Sequence, residues 1–218
     1  LQPALKLEFP LTYFPDRLFP EAGLYAGEYF ARLSTAAATI DPAAITAAAT
    51  LIAETTKRGG RIFSCGNGGS AAIANHLVCD CLKGIRSDTA LRPKVHSLSS
   101  TVELITAIVN DIGSEEMFSF QLESLGEPGD LLISISSSGT SPNIVRTLEL
   151  AKRMGLSTIA MSGFAGGASR QLADVSLHVD CENYGIVEDL HQSLMHILAQ
   201  YTRHAHLDEP SRLGAMKF

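Results

Sequence analysis

Between residues 61 and 204 the chain alternates short apolar runs with stretches of helical spacing. That alternation restricts it to an α/β fold, with a parallel sheet carrying helices on both faces. Five runs have strand character: 61–65 (RIFSC), 94–98, 130–136 (DLLISIS), 157–161 and 175–179. Helical spacing fills 70–82, 101–109, 114–125, 141–154 and 185–204. The expected architecture is a three-layer αβα sandwich around a five-stranded parallel sheet. Two Ala-rich helical segments, 22–33 and 41–58, precede it; Asp41-Pro42 is a good helix start and Gly59-Gly60 a stop. With no linker and no repeat, one domain is expected over 1–218. It divides into an irregular arm (1–20) resting on a partner subunit, N-terminal helices (21–60), a core (61–205) and a loose tail (206–218).

Composition narrows the partners. A chain of 218 residues suits one domain, and 45% hydrophobic with 18% charged residues is ordinary for a globular protein. The net charge is −6 and the basic residues are scattered, which argues against nucleic acid. An anion would have to be held locally, by backbone amides, hydroxyls and helix starts. No apolar run has the ~20 residues that a membrane span needs. The first residues lack the zones of a signal peptide. Cys65, Cys79, Cys81 and Cys181 read as reduced thiols of a cytoplasmic protein, with a Cys79-x-Cys81 metal motif as the alternative.

Two expected strand ends carry unusual turns, where ligands of such sheets bind. The first is Gly66-Asn67-Gly68-Gly69-Ser70. Its glycines allow positive φ and close approach of a ligand, and the helix after it offers unpaired N–H groups. It reads either as a cradle for an anion or sugar oxygen or as a tight turn with Ser70 as N-cap. It matches neither the dinucleotide fingerprint nor a P-loop. The second is Ser136-Ser137-Ser138-Gly139-Thr140-Ser141. A cap needs one hydroxyl and this turn offers five, so phosphate binding is the favoured reading.

These turns, quoted as GNGGSAAIANH (66–76) and GEPGDLLISISSSGTSPNI (126–144), resemble the sugar isomerase (SIS) domain, as do TAIVNDIG (106–113) and the helix bearing His191 and His196. More narrowly they resemble the phosphoheptose isomerases, a flavodoxin-like SIS family. The resemblance implies that Asn67, Gly68, Gly69 and Ser70 form a substrate turn and that Asn110 and Asp111 contact substrate. It implies that Ser136, Ser137, Ser138 and Ser141 hold phosphate, and that His76 and His196 bind zinc. Asp80 stands where the family has a glutamate that is both metal ligand and base. Glu188 stands where it has a glutamine that touches substrate and metal. Asp80 keeps the carboxylate but shortens its reach by one methylene. Spacing agrees in part: His76 and Asp80 are i, i+4 on a helix, and Glu188 and His196 lie eight apart. A zinc site of His76, Asp80, Glu188 and His196 or two solvated polar faces are both compatible with that spacing. His191 is expected beside the site as a supporting residue.

The implied reaction is isomerisation of a phosphorylated ketose, most narrowly sedoheptulose 7-phosphate, to the aldose through an enediol. Asp80 would be the base and His196 would move the proton, with no nucleotide or redox cofactor. The resemblance also implies homotetramers, with the Ala-rich helices as interface, and surface-polysaccharide heptose synthesis. The alternatives are a non-catalytic SIS regulator of the replication-initiator-associated type, or an SIS enzyme for another sugar phosphate.

Overall fold

The computed structural model describes residues 13–218. Helices α1 (Ala22–Ala37) and α2 (Pro42–Lys57) lead into the sheet, and Asp41 caps α2 by accepting from the Ala43 amide at 2.9 Å. The strands are β1 (Arg61–Gly66), β2 (Lys94–Ser97), β3 (Leu131–Ser136), β4 (Ser157–Ser162) and β5 (Val175–His178). All pair in parallel in the order β2-β1-β3-β4-β5, with Ile62 opposite Leu131 and Ile133 opposite Ile159. The remaining helices are α3 (Gly69–Cys79), α4 (Val102–Asp111), α5 (Ser119–Leu125), α6 (Pro142–Arg153), α7 (Gly167–Leu172) and α8 (Tyr184–Ala205). The expected αβα sandwich is therefore the observed one.

Strand β3 is buried along its whole length, and its alternation sorts the two cores. Leu131, Ile133 and Ile135 pack with Ile52 of α2, Leu77 of α3 and Leu194 and Leu198 of α8. Leu132 on the opposite face packs with Phe63, Phe118, Leu122 of α5 and Leu148 of α6. The order turns back between β1 and β3, whose following helices α3 and α6 lie on opposite faces. This is the switch point where open α/β sheets form their binding crevice.

Several expected boundaries are corrected. Helix α1 continues to Ala37. The helix expected over 70–82 is regular only to Cys79 and then widens into a π-turn over Asp80–Ile85. That local widening buries Cys81 and Ile85 while leaving Asp80 partly exposed. The segment 114–125 divides into a short turn at Ser114–Glu116 and α5. Helix α7 was not expected; it starts at Gly167, behind the N-cap Gly166 in the left-handed region. The tail is not loose: Arg203 donates to the Lys217 carbonyl at 3.2 Å and stacks on Phe218, and Arg212 pairs with Asp88.

The arm reading falls partly outside the described residues, since only 13–20 are described. There Phe14 is buried against Tyr25 and Tyr29 of its own chain. The Ala-rich α2 also faces inward, through Ala48, Ala49 and Ile52. Two of the longer helices have little cover: α1 buries only Ala36 and exposes Leu24 and Phe30, and α4 buries only Ile108 and exposes Val102 and Leu104. No single described helix is long and apolar enough to cross a membrane.

Candidate active site

The turns after β1 and β3 meet above the switch point. Asn67 Nδ2 donates to Asn143 Oδ1 at 3.0 Å, and Asn143 Nδ2 returns the bond to Asn67 Oδ1 at 2.8 Å. Ser99, just past β2, fixes the base of the first turn. Its hydroxyl accepts from the Gly66 amide at 3.1 Å and donates to the Gly66 carbonyl at 2.9 Å.

In the first turn Gly68 is the N-cap of α3 and takes φ +53°. Ser70 lies inside the helix and is buried, so it is not the cap. The Glu188 carboxylate of α8 stands directly against Gly69, where a Cβ would collide with it. The positive start of α3 thus already faces a negative group of its own chain.

In the second turn the hydroxyls divide. Ser136 and Ser137 are buried; Ser136 Oγ accepts from the Gly139 amide at 3.2 Å, while Ser137 Oγ has no partner. Ser138 and Ser141 are half-buried and Thr140 is exposed. Thr140 donates to Ser138 Oγ through its amide at 3.3 Å and its hydroxyl at 3.2 Å. Ser141 begins α6 without spending its hydroxyl on a cap. Gly139 takes φ +65° and abuts the Gly166 carbonyl; its own carbonyl accepts from Ser169 N at 3.0 Å and Ser169 Oγ at 2.9 Å. Helix α7 therefore braces this turn from behind.

A second group lies further down the packed pair α3 and α8. Asp80 Oδ2 is 2.7 Å from His196 Nδ1, and Asp80 Oδ1 is 3.3 Å from His76 Nε2. Gln192 Nε2 lies 2.9 Å from His196 Nε2 and 3.4 Å from His76 Nδ1. Donor atoms of His76, Asp80 and His196 all fall within 4.8 Å of one another, with side chains 46%, 20% and 39% exposed. Two imidazoles and a carboxylate at such spacing suit zinc, and the exposure leaves the ion a way in.

Residues 25–163 match the SIS domain. The chain belongs to the SIS domain family. The curated phosphoheptose isomerase of Chlorobaculum parvum is 44% identical over 153 residues, which is 69% of this chain and 73% of the relative. The solved phosphoheptose isomerase of Neisseria gonorrhoeae superposes with a TM-score of 0.75 at 30% identity, covering 83% of this chain and 95% of that one. That of Francisella tularensis gives 0.77 at 29%, covering 84% and 98%.

Within this SIS chain the expected site residues form two groups rather than one. The turns and Glu188 form the upper group, and His76, Asp80 and His196 the lower. From Gly69 to His76 is about 10 Å of helix axis, and from Glu188 to His196 about 12 Å. Glu188, expected among the metal ligands, lies outside the lower group and against Gly69. Asn110 and Asp111 sit exposed at the end of α4, where Asn110 Nδ2 donates to Asp111 Oδ1 at 2.6 Å. Among the described residues, no side-chain hydrogen bond ties them to either group.

His191 is not beside the site. It is fully buried in α8 and neither ring nitrogen has a hydrogen-bond partner. Burial is the main cause that pushes its pKa down to about 4. The Cys79-x-Cys81 metal alternative also fails. Cys79 is exposed while Cys81 is buried, and burial raises the Cys81 thiol to about 12. Asn143 and Gln192 were missed. The available signals were weak: an amide one place after the helix-starting Pro142, and an amide one turn before His196.

Proposed function

We propose that this protein is an aldose–ketose isomerase of phosphorylated sugars and that its substrate is sedoheptulose 7-phosphate. The observation that carries the reading is the 2.7 Å Asp80–His196 hydrogen bond, which couples a carboxylate base to a proton-shuttling imidazole. The named relatives support the same chemistry.

The serine turn takes the phosphate on Ser138, Ser141 and the α6 amides. Asn67, Gly68 and Gly69 receive sugar hydroxyls, with Ser70 closing the turn beneath them. Ser136 and Ser137 shape the phosphate turn from inside. Asp80 removes a proton from C1 of the ketose, and the electron pair moves onto O2 to give the enediol. His196 carries the proton between O1 and O2. Return of the proton to C2 leaves the aldehyde at C1. Hydrogen is only relocated, so the balance needs no redox partner.

Zinc held by His76, Asp80 and His196 would supply positive charge to polarise the carbonyl. A seven-carbon sugar phosphate carries its phosphate and its reacting carbons at opposite ends, as the two groups lie along α3 and α8. A second copy of the chain, covering the exposed apolar side of α4, would bring Asn110 and Asp111 to the substrate and complete a homotetramer. The setting is the cytoplasm, and the product feeds surface-polysaccharide heptose synthesis. The chain is a single SIS domain throughout.

The test is conversion of sedoheptulose 7-phosphate to aldose by the purified protein, with and without zinc. Asp80→Asn and His196→Ala are each expected to lower kcat by roughly 100- to 10,000-fold. Tight sugar-phosphate binding with no turnover by the unaltered protein would instead mark a sensor. Turnover of a different sugar phosphate alone would move the substrate.

A further inference from the structure

The π-turn Asp80–Ile85 packs along the second half of α8, and polar side chains join the two segments at two levels. At the first, Asp80 Oδ2 stands 2.7 Å from His196 Nδ1. At the second, just past the π-turn, Arg203 Nη2 donates to Asp88 Oδ2 at 2.6 Å. His196 and Arg203 are i, i+7 on α8, so they share a face and lie about 10 Å apart along its axis. Between the levels the contact is apolar: Cys81 and Ile85 share a core with Leu198 and Ala199.

Arg203 is built in unlike a surface arginine. The residue is 9% exposed, and every nitrogen of its guanidinium is engaged. Nε donates to the Ser87 carbonyl at 3.1 Å, Nη1 to the Lys217 carbonyl at 3.2 Å and Nη2 to Asp88. Its Cζ lies 4.8 Å from the centroid of the Phe218 ring. Asp88 is shaped to receive it. Its φ is +58°, a left-handed conformation that a short polar residue tolerates. Its carbonyl accepts from the Asp208 amide at 3.0 Å, and its Oδ1 accepts from Arg212 Nη1 at 3.2 Å. The hydrogen bond from Arg203 holds the Asp88 carboxyl below the usual carboxylate range.

Apolar burial is non-directional, so the contacts of Cys81 and Ile85 tolerate small slides along α8. Hydrogen bonds fix both length and direction. The Asp88–Arg203 pair therefore sets the height at which the segment docks on α8, and Asp80 stands at the far end of that segment. We propose that Arg203, acting through Asp88, is a positioning residue of the candidate active site: it fixes the register in which Asp80 meets His196. The inference deepens the isomerase reading, and its geometric half is open to test in protein that turns over no sugar.

The experiment compares Asp88→Gly with Asp88→Asn. Glycine keeps the positive φ and removes the carboxylate; asparagine keeps the φ and one oxygen for Arg203. The Asp88 side chain is 34% exposed, so neither change opens a closed cavity. Crystal structures read the Asp80–His196 separation, and kinetics with sedoheptulose 7-phosphate read kcat and KM. In Asp88→Gly the separation is expected to open beyond hydrogen-bond range, about 3.5 Å. Its kcat should fall about 10- to 100-fold with KM within about twofold, because the serine turn is untouched. Asp88→Asn should restore both. In an Asp80→Asn background, Asp88→Gly should lower kcat no further, because a residue that acts through Asp80 has nothing left to position. A residue that merely held the fold together would lower kcat by the same factor in both backgrounds, and that result overturns the proposal. A 2.7 Å separation kept in Asp88→Gly overturns it equally. Where Asp88→Gly folds poorly, Arg203→Lys takes its place with the same expectations, since lysine keeps the charge and loses the fork. A separation that opens as expected in a protein that isomerises no sugar would sink the isomerase reading alone.

Discussion

The turns after β1 and β3 are built alike and used differently. Each follows a central strand, contains a glycine at positive φ and opens a helix, and the two are bonded to each other through Asn67 and Asn143. The start of α3 faces Glu188 of its own chain, whereas the start of α6 faces half-buried and exposed hydroxyls whose capping role is unfilled. Gly68 stands in open space, whereas Gly139 is wedged against the Gly166 backbone. Two turns of similar composition thus divide their work. One is occupied by an internal charge and the other is braced from behind with its hydroxyls unspent, which is why sugar oxygens are proposed for the first and phosphate for the second.

The strongest way to break this comparison is Gly139→Ala. The new methyl would meet the Gly166 carbonyl, a backbone atom that cannot swing aside, at a φ that disfavours alanine. A loss of about 3 kcal/mol in stability is expected. Phosphate-sugar affinity should fall with it, read by thermal unfolding and by titration with a phosphorylated sugar. A Gly139→Ala variant that unfolds and binds normally would mean the bracing by α7 is illusory.

Acid tests the support beneath the serine turn. Gly163, which donates to the Ser137 carbonyl, rests on Val187 of α8, one turn from the buried His191. The folded pKa of His191, about 4, lies below its ordinary 6.5. Its contribution is therefore complete above about pH 6.5 and lost as pH falls through about 4. The loss over that window is about 3 kcal/mol. Urea unfolding at pH 7 and at pH 4.5, in the unaltered protein and in His191→Met, checks it; the variant should lose less stability on acidification.

Smaller effects sharpen the division of labour. Ser138→Ala and Ser141→Ala should each weaken binding of a phosphorylated sugar by about 1 kcal/mol, roughly fivefold. Their effect on a sugar without phosphate should be negligible. Equal losses for both ligands would remove phosphate from this turn. Gly68→Ala should cost least, about 1 kcal/mol of stability from its φ alone, because no atom lies near the added methyl. A cost near that of Gly139→Ala would erase the contrast between the turns.

Much of this was legible along the chain because it depends on near neighbours. The strand runs, the Asp41-Pro42 helix start and the glycine and serine turns are set by residues a few places apart. So is the i, i+4 placement of His76 and Asp80. What went unread depends on contacts across the fold. Helix α7 is short and stands because Ser169 bonds to Gly139, thirty residues away. The π-turn at Asp80–Ile85 packs on α8, from a distant part of the chain. His191 and His196 lie about 140° apart around α8, so spacing puts them on different faces, but which face is buried is set by packing: one is buried and the other half-exposed.

From the sequence by itself came the αβα class, the two turns and the carboxylate and imidazoles fit for proton transfer. Those are matters of period, turn chemistry and side-chain type. Only the tertiary structure decided which helix start faces a carboxylate of its own chain. It also decided that Glu188 leans on Gly69, while Gln192 joins His76, Asp80 and His196. One turn of helix α8 separates those two outcomes. Which residue meets which partner is set by how α8 docks on α3, a sum over many weak side-chain contacts spread along the chain.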